Sequence, residues 1–470
     1  MPGLKELVFN VAPLPLKGFG LGLNSLLGFR KKYGSIFRRE LAALRARRKL
    51  GPDDLEVSQH KLLADFLHQV WASNGWYRDA MIESGVDLAA IAANPVGALS
   101  RIVPLEKQVL KDNIEAIAST DIPLFVVSNT SGTSGSPMDV PYDAAGYQKG
   151  FAYWRRFYDE MGLGDSFRNA RFSGRVLLGE ARAPRVFWVH DWCERRLFFS
   201  TYHMTEANLP AYVAKLNRYR PELIDGYPSA LAILARFIES SGHRLTFKPR
   251  AAATTAETLF DEDRDVIERV FGCKVYNQYA SSEGAPFITE CCLGRMHLNT
   301  DTGYFEFQPV PGSEDVKELV VTSFRNLKLP LIRYRIGDTV RLDADGSPPC
   351  ACGSPFPTIA AIEGRVDDLL YSTERGAIGR LDPVYKGVVG IDRSQIIQQG
   401  EDDFRILVVP GAGFTPATLE VLERNFRNRV GHLVSLATDV VDDIPLSANG
   451  KFRAVINQTP RRATEDSSAA

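Results

Sequence analysis

The sequence has few cysteines, no excess of charge of either sign and no long apolar run. Six cysteines among 470 residues are too few for a disulfide framework in a chain of this size. The 56 lysines and arginines nearly cancel the 57 aspartates and glutamates, leaving a net charge of −1. This balance excludes binding of nucleic acid through a large overall positive charge. No apolar run is long enough to span a bilayer, so we expect no transmembrane segment.

The first residues lack the features of a secretory signal. Pro13, Pro15 and several glycines interrupt the apolar character that a signal core requires, and no compact apolar stretch follows a basic start. We therefore expect a cytoplasmic protein. The composition, 44% hydrophobic and 24% charged, is that of an ordinary globular chain, and the length predicts two to four structural units.

Strand-like and helix-like segments alternate through the middle of the chain. Residues 185–190 and 274–279 are typical of strands, 209–221 of a helix, and 223–242 of a strand that turns into a helix. This rhythm predicts an α/β fold with mixed, largely parallel sheets. Residues 27–50 are basic and amphipathic, and their pattern favours a solvated helix face over docking on acidic lipid.

The pattern of strand and helix signals changes at two places in the sequence, and these changes indicate the domain organisation. From Gly303 onward, short strands with turn signals predict a more antiparallel, barrel-like β subregion. Beyond residue 365 the pattern of about 90 residues predicts a small α+β unit. We expect a large domain over 1–365 and a small C-terminal lid domain over 366–470, with a disordered tail from about 459.

Small and polar residues follow the strand-like segment Leu124–Val127. Residues 128–138 hold two glycines, a proline and seven hydroxyl or amide side chains. Such a loop can crowd backbone N–H groups around a phosphate, and its hydroxyls add donors. A surface connection is the alternative, because clusters of this composition are usually that.

Five stretches, in this order, resemble the adenylate-forming superfamily of acyl- and aryl-CoA ligases and adenylation domains, with the phenylacetate–CoA ligase-like branch most similar. The resemblance covers about residues 60–455. The stretches are Ser131-Gly132-Thr133-Ser134-Gly135-Ser136-Pro137, Ala256-Glu257, Tyr279-Ala280-Ser281-Ser282-Glu283, residues 331–338 ending in Asp338, and Gly364-Arg365-Val366-Asp367-Asp368 joined with residues 445–451 ending in Lys451.

The resemblance implies a nucleotide site. Ser131, Gly132, Thr133, Ser134 and Gly135 would hold the β- and γ-phosphates of ATP. Ala256, Glu257, Asn277, Gln278 and Tyr279 would lie at the adenine or the pocket wall, with Ser281 and Arg365 also at the nucleotide. Ser282 would meet the α-phosphate, Glu283 would hold Mg²⁺, and Asp338 would accept both ribose hydroxyls. A helix N-terminus at residues 255–257 is the alternative for the second stretch.

The resemblance also implies a moving C-terminal domain. Asp367 would be the hinge residue, and Lys451 would reach the carboxylate and the α-phosphate during adenylation. Two departures stand out. Met138 replaces a lysine that many members carry after the loop, and Ala280 replaces a glycine. We interpret Met138 as a feature of the branch and Ala280 as a change that narrows the acyl pocket.

Four cysteines occur in two tight pairs. Cys291 and Cys292 precede His297, and Cys350 and Cys352 follow later. Thiolates and imidazole are the preferred ligands of structural zinc, and the branch carries a similar pattern. We predict Cys291, His297, Cys350 and Cys352 as ligands, with Cys292 in reserve; buried reduced thiols are the alternative.

The sequence gives the least information about the acyl pocket. The resemblance implies that His203, Tyr227 and Ala280 line it, while a structural role for His203 is equally consistent. The predicted function is an ATP-dependent, AMP-forming ligase that joins a small carboxylic acid, with aromatic acids favoured, to coenzyme A or an acyl carrier protein. An amide ligase with an amine acceptor and a weakly catalytic nucleotide-binding homologue remain alternatives.

Overall fold

The computed structural model describes most of the chain. The described residues are 14–129, 138–173, 186–281, 283–310, 313–343, 346, 348–365, 370–374, 376–378, 381–385, 388–446 and 452–459. No helix among them is long and apolar enough to cross a membrane.

The helices are distributed along both parts of the chain. They span Leu14–Lys32 (α1), Ser35–Arg47 (α2), Pro52–Ser73 (α3), Gly75–Glu83 (α4), Leu88–Ala93 (α5), Pro95–Arg101 (α6), Lys107–Asp112 (α7), Ile114–Ile117 (α8), Ala144–Glu160 (α9), Leu209–Tyr219 (α10), Pro228–Ser240 (α11), Asp261–Phe271 (α12), Asp382–Tyr385 (α13) and Pro416–Val430 (α14).

The strands follow the same order along the chain. They span Leu105–Glu106 (β1), Val126–Asn129 (β2), Asp139–Tyr142 (β3), Asn169–Ser173 (β4), Trp188–Asp191 (β5), Arg196–Ser200 (β6), Leu223–Gly226 (β7), Ala251–Thr255 (β8), Val275–Tyr279 (β9), Ile288–Glu290 (β10), Met296–Leu298 (β11), Gly303–Val310 (β12), Ser313–Ser323 (β13), Leu331–Arg341 (β14), Thr358–Ile359 (β15), Ala361–Arg365 (β16), Leu370–Ser372 (β17), Gly376–Ile378 (β18), Ile391–Gly400 (β19), Asp403–Pro410 (β20), Ser435–Val440 (β21) and Val455–Asn457 (β22).

A nine-stranded sheet organises the large part of the molecule. Its order is β15-β11-β10-β9-β8-β7-β4-β6-β5. The pairs β6–β4, β4–β7, β7–β8 and β8–β9 are parallel, and the outer pairs are antiparallel. The predicted α/β fold is therefore confirmed. The parallel strands are largely buried on both faces, as is usual for a parallel sheet that helices cover.

The helices that cover this sheet bury one apolar face each. Leu231, Leu234 and Ala235 of α11 are fully buried in a core shared with β4, β7 and α10. Helix α12 begins with three acidic residues and ends at Gly272, which adopts a left-handed conformation (φ +66°). Both features are typical helix ends, since acids stabilise the N-terminus and glycine ends a helix without steric cost.

The predicted barrel-like β region corresponds to a five-stranded sheet. Strands β1, β14, β13 and β12 follow one another, and β16 also pairs with β14. Its core is continuous with α3 to α7. Residues from β17 onward carry a separate core, in which Phe404, Ile406 and Phe426 are fully buried, under a four-stranded sheet. Strand β16 ends at Arg365, and the next described strand begins at Leu370.

Candidate active site

A cavity of about 980 Å³ opens where the parallel strands of the large sheet end. Tyr227 follows β7, Ala256 follows β8 and Ala280 follows β9, and all three line it. The opposite wall comes from the C-terminal part, including Tyr385, Arg393 and residues 452–455. The carboxyl ends of parallel strands are the usual ligand sites of α/β sheets, because the following loops converge there.

The described members of the predicted nucleotide site all line this one cavity. They are Ala256, Glu257, Asn277, Gln278, Tyr279, Ser281, Glu283 and Asp338. They come from β8, β9, β14 and the loops that follow these strands, and the most distant pair, Ala256 and Asp338, is 82 residues apart in the sequence. The tertiary structure therefore brings together residues from three of the five stretches.

The remaining predicted residues lie outside the described part of the chain. These are Ser131, Gly132, Thr133, Ser134, Gly135, Ser282, Asp367 and Lys451. Their described neighbours Ser128, Met138 and Phe452 line the cavity. Only the backbone of Arg365 is described, and it pairs with Asp338 in the ladder between β16 and β14.

Glu257 connects the large part of the molecule to the C-terminal part. Its Oε2 accepts from the Ser229 hydroxyl at 2.7 Å, and its Oε1 accepts from the Phe452 backbone N–H at 2.9 Å. The preceding residue, Ala256, has a left-handed backbone (φ +71°). Such a conformation is strained for alanine and is concentrated at functional sites. Glu257 follows this left-handed residue, and its carboxylate reaches the backbone of Phe452.

Asp338 and Tyr279 meet inside the cavity. The Tyr279 hydroxyl donates to Oδ2 of Asp338 at 2.5 Å. Gly337, before the aspartate, has φ +83°, a conformation that favours glycine. The contact fixes one carboxylate oxygen and the plane of the ring, so both groups face the cavity in defined orientations.

Asn277 and Gln278 are held by the neighbouring strand. The Thr254 hydroxyl lies 3.0 Å from the Asn277 Oδ1, and the Thr255 hydroxyl lies 3.0 Å from the Gln278 Oε1. These threonines are directly opposite the two amides in the parallel β8–β9 register. The cross-strand bonds orient both amides at the cavity wall.

Glu283 is a buried carboxylate, only 7% exposed, on the cavity wall. The Lys107 Nζ lies 3.6 Å from its Oε1. Gly284 follows with φ +96°, and a Cβ there would approach the Tyr142 hydroxyl to 2.7 Å. Glycine is thus required both by the backbone and by Tyr142, and burial raises the pKa of that tyrosine.

Lys107 and Lys111 are functional candidates that the sequence analysis missed. Both belong to the short helix α7 and line the cavity. They lie outside the five stretches, and a lone lysine on a polar helix carries no signal of its own. Only the packing of β1 on β14 brings α7 beside Glu283.

The predicted acyl-pocket residues separate into two groups. Tyr227 and Ala280 line the cavity, whereas His203 is not among its described lining residues. The His203 Nδ1 lies 2.7 Å from the Ser200 Oγ, and burial lowers the pKa of its imidazole. This environment matches the structural alternative for His203 that the sequence left open.

A second cluster lies at the edge of the large sheet, away from these contacts. The ligand atoms of Cys291, His297, Cys350 and Cys352 all lie within 4.8 Å of one another. Cys291 and Cys350 are 3.9 Å apart at sulfur, and the Cys352 Sγ lies 3.5 Å from the His297 Nε2. Cys292 is exposed and outside the group.

These distances fit a tetrahedral zinc ion. With Zn–S near 2.3 Å and Zn–N near 2.0–2.1 Å, tetrahedral geometry requires about 3.8 Å between sulfurs and about 3.5 Å between sulfur and nitrogen. The His297 Nδ1 lies 2.7 Å from the Phe356 carbonyl oxygen, so it donates there and leaves Nε2 as the ligand atom. The donor set and its spacing therefore fit the metal.

The overall architecture is that of the adenylate-forming CoA ligases. A 2-hydroxyisobutyryl-CoA ligase, solved in the postadenylation state with 2-HIB-AMP, matches 87% of this chain and 91% of its own at a TM-score of 0.67 and 18% identity. Its open conformation with 2-HIB-AMP and CoA matches at 0.55 and 18% identity, over 88% of this chain and 93% of its own. The resemblance inferred from the five stretches is confirmed.

Sequence comparisons agree with this architecture. Residues 370–458 match the CapK C-terminal domain family. Protein CapK of Staphylococcus aureus is 28% identical over 96% of this chain and 98% of its own. The phenylacetate-coenzyme A ligase of Pseudomonas putida is 32% identical over 187 residues, 37% of this chain and 41% of that enzyme.

Proposed function

We propose that this protein is an ATP-dependent, AMP-forming ligase that converts a carboxylic acid into its acyl adenylate and then transfers the acyl group to a thiol. The convergence of Glu257, Tyr279, Glu283 and Asp338 on one cavity carries this proposal. The thiol is that of coenzyme A or of a carrier-protein phosphopantetheine. Relatives of the same fold are CoA ligases, which supports coenzyme A as the first acceptor to test.

ATP would lie across the ends of the parallel strands. Asp338 accepts from the ribose hydroxyls with its two oxygens, and Tyr279 orients that carboxylate. Ala256, Asn277 and Gln278 contact the adenine. Residues 131–135 would hold the β- and γ-phosphates, and the described residues Ser128 and Met138, on either side of this segment, line the cavity.

Glu283 would hold Mg²⁺ together with phosphate oxygens. A buried carboxylate on the wall of a phosphate site fits this ion, which is usually bound by one or two carboxylates plus substrate oxygens. The bound ion would neutralise charge on the phosphates. Lys107, 3.6 Å from Glu283, adds a second positive charge at the same place.

Adenylation is an in-line displacement at phosphorus. A carboxylate oxygen of the acid bonds to the α-phosphorus, and the bond to pyrophosphate breaks. Negative charge grows on the phosphate oxygens, where Lys451 and Ser282 would stabilise it. In the second step the thiol sulfur attacks the acyl carbon, AMP leaves with the bonding pair, and the thiol proton passes to solvent.

The small domain would change position between the two steps. Glu257 accepts a hydrogen bond from the Phe452 N–H, and the neighbouring Lys451 would act in adenylation while this bond is present. Rotation at Asp367, between domains 1–365 and 366–470, would break this bond and open a path for the thiol.

An acid panel tests the proposed function. The full chain is incubated with ATP, Mg²⁺ and one carboxylic acid at a time, aromatic acids first, and pyrophosphate release is measured. Coenzyme A, a phosphopantetheinylated carrier protein and amines are then added separately to the active acid. Thioester formation supports the ligase. Amide formation favours the amide-ligase alternative. ATP binding without pyrophosphate release for any of the acids favours a nucleotide-binding homologue.

Removal of the Lys107 charge is predicted to weaken the nucleotide site. We expect Lys107→Ala to lower kcat/KM for ATP in the adenylation step by about 10- to 100-fold, because a hydrogen bond to a charged group contributes about 1.5–3 kcal/mol. Lys107→Arg should restore part of this loss, and Lys61→Ala, at an exposed lysine, should leave activity unchanged. Equal activity of Lys107→Ala and the wild type would contradict the assignment.

The cysteine cluster is predicted to hold one structural zinc ion. We expect about one equivalent of zinc per chain by elemental analysis, and we expect Cys352→Ser to lose the metal and lower Tm, because structural zinc contributes directly to folding. The chain contains its own control in the exposed Cys292, since Cys292→Ser should keep both metal and Tm. A stable, metal-free wild-type protein would refute the site.

A further inference from the structure

Helix α1 presents its apolar residues to solvent. Over Leu16–Phe29 the large apolar side chains other than the buried Leu21 lie within about 160° of the helix circumference at 100° per residue, so they share one side of the helix. Six of them are 40–73% exposed: Leu16, Phe19, Leu23, Leu26, Leu27 and Phe29. A contiguous apolar surface of this size is unusual on a protein and marks an interaction site.

The opposite side of α1 fixes the helix to the protein through the buried Leu21, which packs with Val189 and Phe198, and through small and polar groups. A Cβ added to Gly22 would come within 2.0 Å of the Trp192 indole nitrogen, so only glycine permits this approach. The Ser25 hydroxyl donates to the Asp191 carboxylate at 2.5 Å, and Lys32 pairs with Glu194. The helix therefore lies along strand β5, and its outward apolar face is set by specific contacts.

The charges at the end of this face all have one sign. Arg30 and Lys31 are exposed, and the sequence of α1 contains no aspartate or glutamate. At 100° per residue, Arg30 and Lys31 lie on either side of the line through Leu16, Leu23 and Leu27. Cations that flank an outward leucine face are typical of helices that lie in the plane of an anionic membrane surface.

We propose that α1 docks this protein on the surface of anionic lipid bilayers. Leu16, Phe19, Leu23 and Leu27 enter the boundary between headgroups and acyl chains, and Arg30 and Lys31 contact lipid phosphates. The contacts of α1 with β5 and with Trp192 and Glu194 hold the helix on the protein surface, so its apolar face would lie against the bilayer. A second copy of the chain fits less well, because an α1 partner would bring further cations and no carboxylate to pair with them.

Vesicle sedimentation tests the proposal with the full chain. We expect the wild type to sediment with vesicles of phosphatidylglycerol and phosphatidylcholine, and to bind weakly to phosphatidylcholine alone or at high salt. Leu23→Gln/Leu27→Gln should lower the partition coefficient at least about tenfold, because two leucines lose their apolar contact. Arg30→Gln/Lys31→Gln should lower it about tenfold on anionic vesicles only.

A matched variant separates this face from general surface hydrophobicity. Leu88→Gln/Leu433→Gln also removes two exposed leucines, 44% and 83% exposed, and should leave vesicle binding unchanged. Thermal melting checks that all variants fold. The proposal fails if the wild type stays in the supernatant with anionic vesicles, or if both leucine pairs have equal effects. Light scattering that shows a dimer abolished by Leu23→Gln/Leu27→Gln, without lipid binding, would instead assign the face to a second copy.

Discussion

Lys451→Ala is expected to slow formation of the acyl adenylate by about 10²–10³-fold, the usual loss when one preorganised donor to a developing negative charge is removed. The Phe452 N–H lies 2.9 Å from the Glu257 carboxylate on the wall of the nucleotide cavity, and the proposed mechanism assigns the preceding residue, Lys451, to adenylation. Thiol transfer from a preformed adenylate should be nearly unchanged, because the amine serves only the first step.

Separate assays of the two half-reactions check this expectation. Pyrophosphate release measures the first, and thioester formation from synthetic acyl adenylate measures the second. Lys49→Ala, at an exposed lysine of the N-terminal region, is the matched control and should behave as the wild type. An equal loss in both half-reactions would assign Lys451 to folding or to general binding and would remove its role in adenylation.

Asp338→Ala is expected to raise KM for ATP by about 10²–10³-fold. The carboxylate would accept two ribose hydroxyls, and each hydrogen bond to a charged group contributes about 1.5–3 kcal/mol. Tyr279→Phe should have a smaller effect, since it removes the hydroxyl that orients Asp338 and keeps the ring. Asp315→Ala, at an exposed aspartate of β13, should leave KM unchanged.

Equilibrium binding distinguishes this role from a structural one. AMP affinity of Asp338→Ala should fall in parallel with the rise in KM, whereas Tm should change little, because Asp338 lies on a cavity wall. Unaltered AMP affinity would contradict the ribose assignment. A large drop in Tm together with unaltered AMP affinity would place Asp338 in the packing of β14 against β16.

The two departures from the superfamily pattern have different surroundings. Met138 has a neutral thioether side chain and cannot supply the missing charge, but Lys107 lines the same cavity beside Glu283. Ala280 lines the cavity directly after β9. A cation from α7 therefore offers a physical reason why the loss of a loop lysine is compatible with phosphate binding.

Some features of this protein could be read from the residues alone, because they depend on local periodicity. The helix expected over 209–221 is found at Leu209–Tyr219, and the strand expected at 274–279 is found at Val275–Tyr279. The strand expected over 185–190 corresponds to β5, which begins at Trp188 and ends at Asp191. The short sequence motifs also indicated which residues to examine for nucleotide and metal, since each combines chemically suitable side chains in a distinctive order.

Other features arose only from tertiary contacts between distant residues. The sequence left Cys291 and Cys292 as alternatives, and the fold selects Cys291 because its sulfur faces Cys350, 59 residues away. Lys107 reaches Glu283 because β1 pairs with β14, and Glu257 reaches Phe452 because the C-terminal part folds over the sheet. The outward face of α1 was likewise decided by its packing on β5. Periodicity shows that a helix has an apolar side, but only the partner surface determines which side is covered.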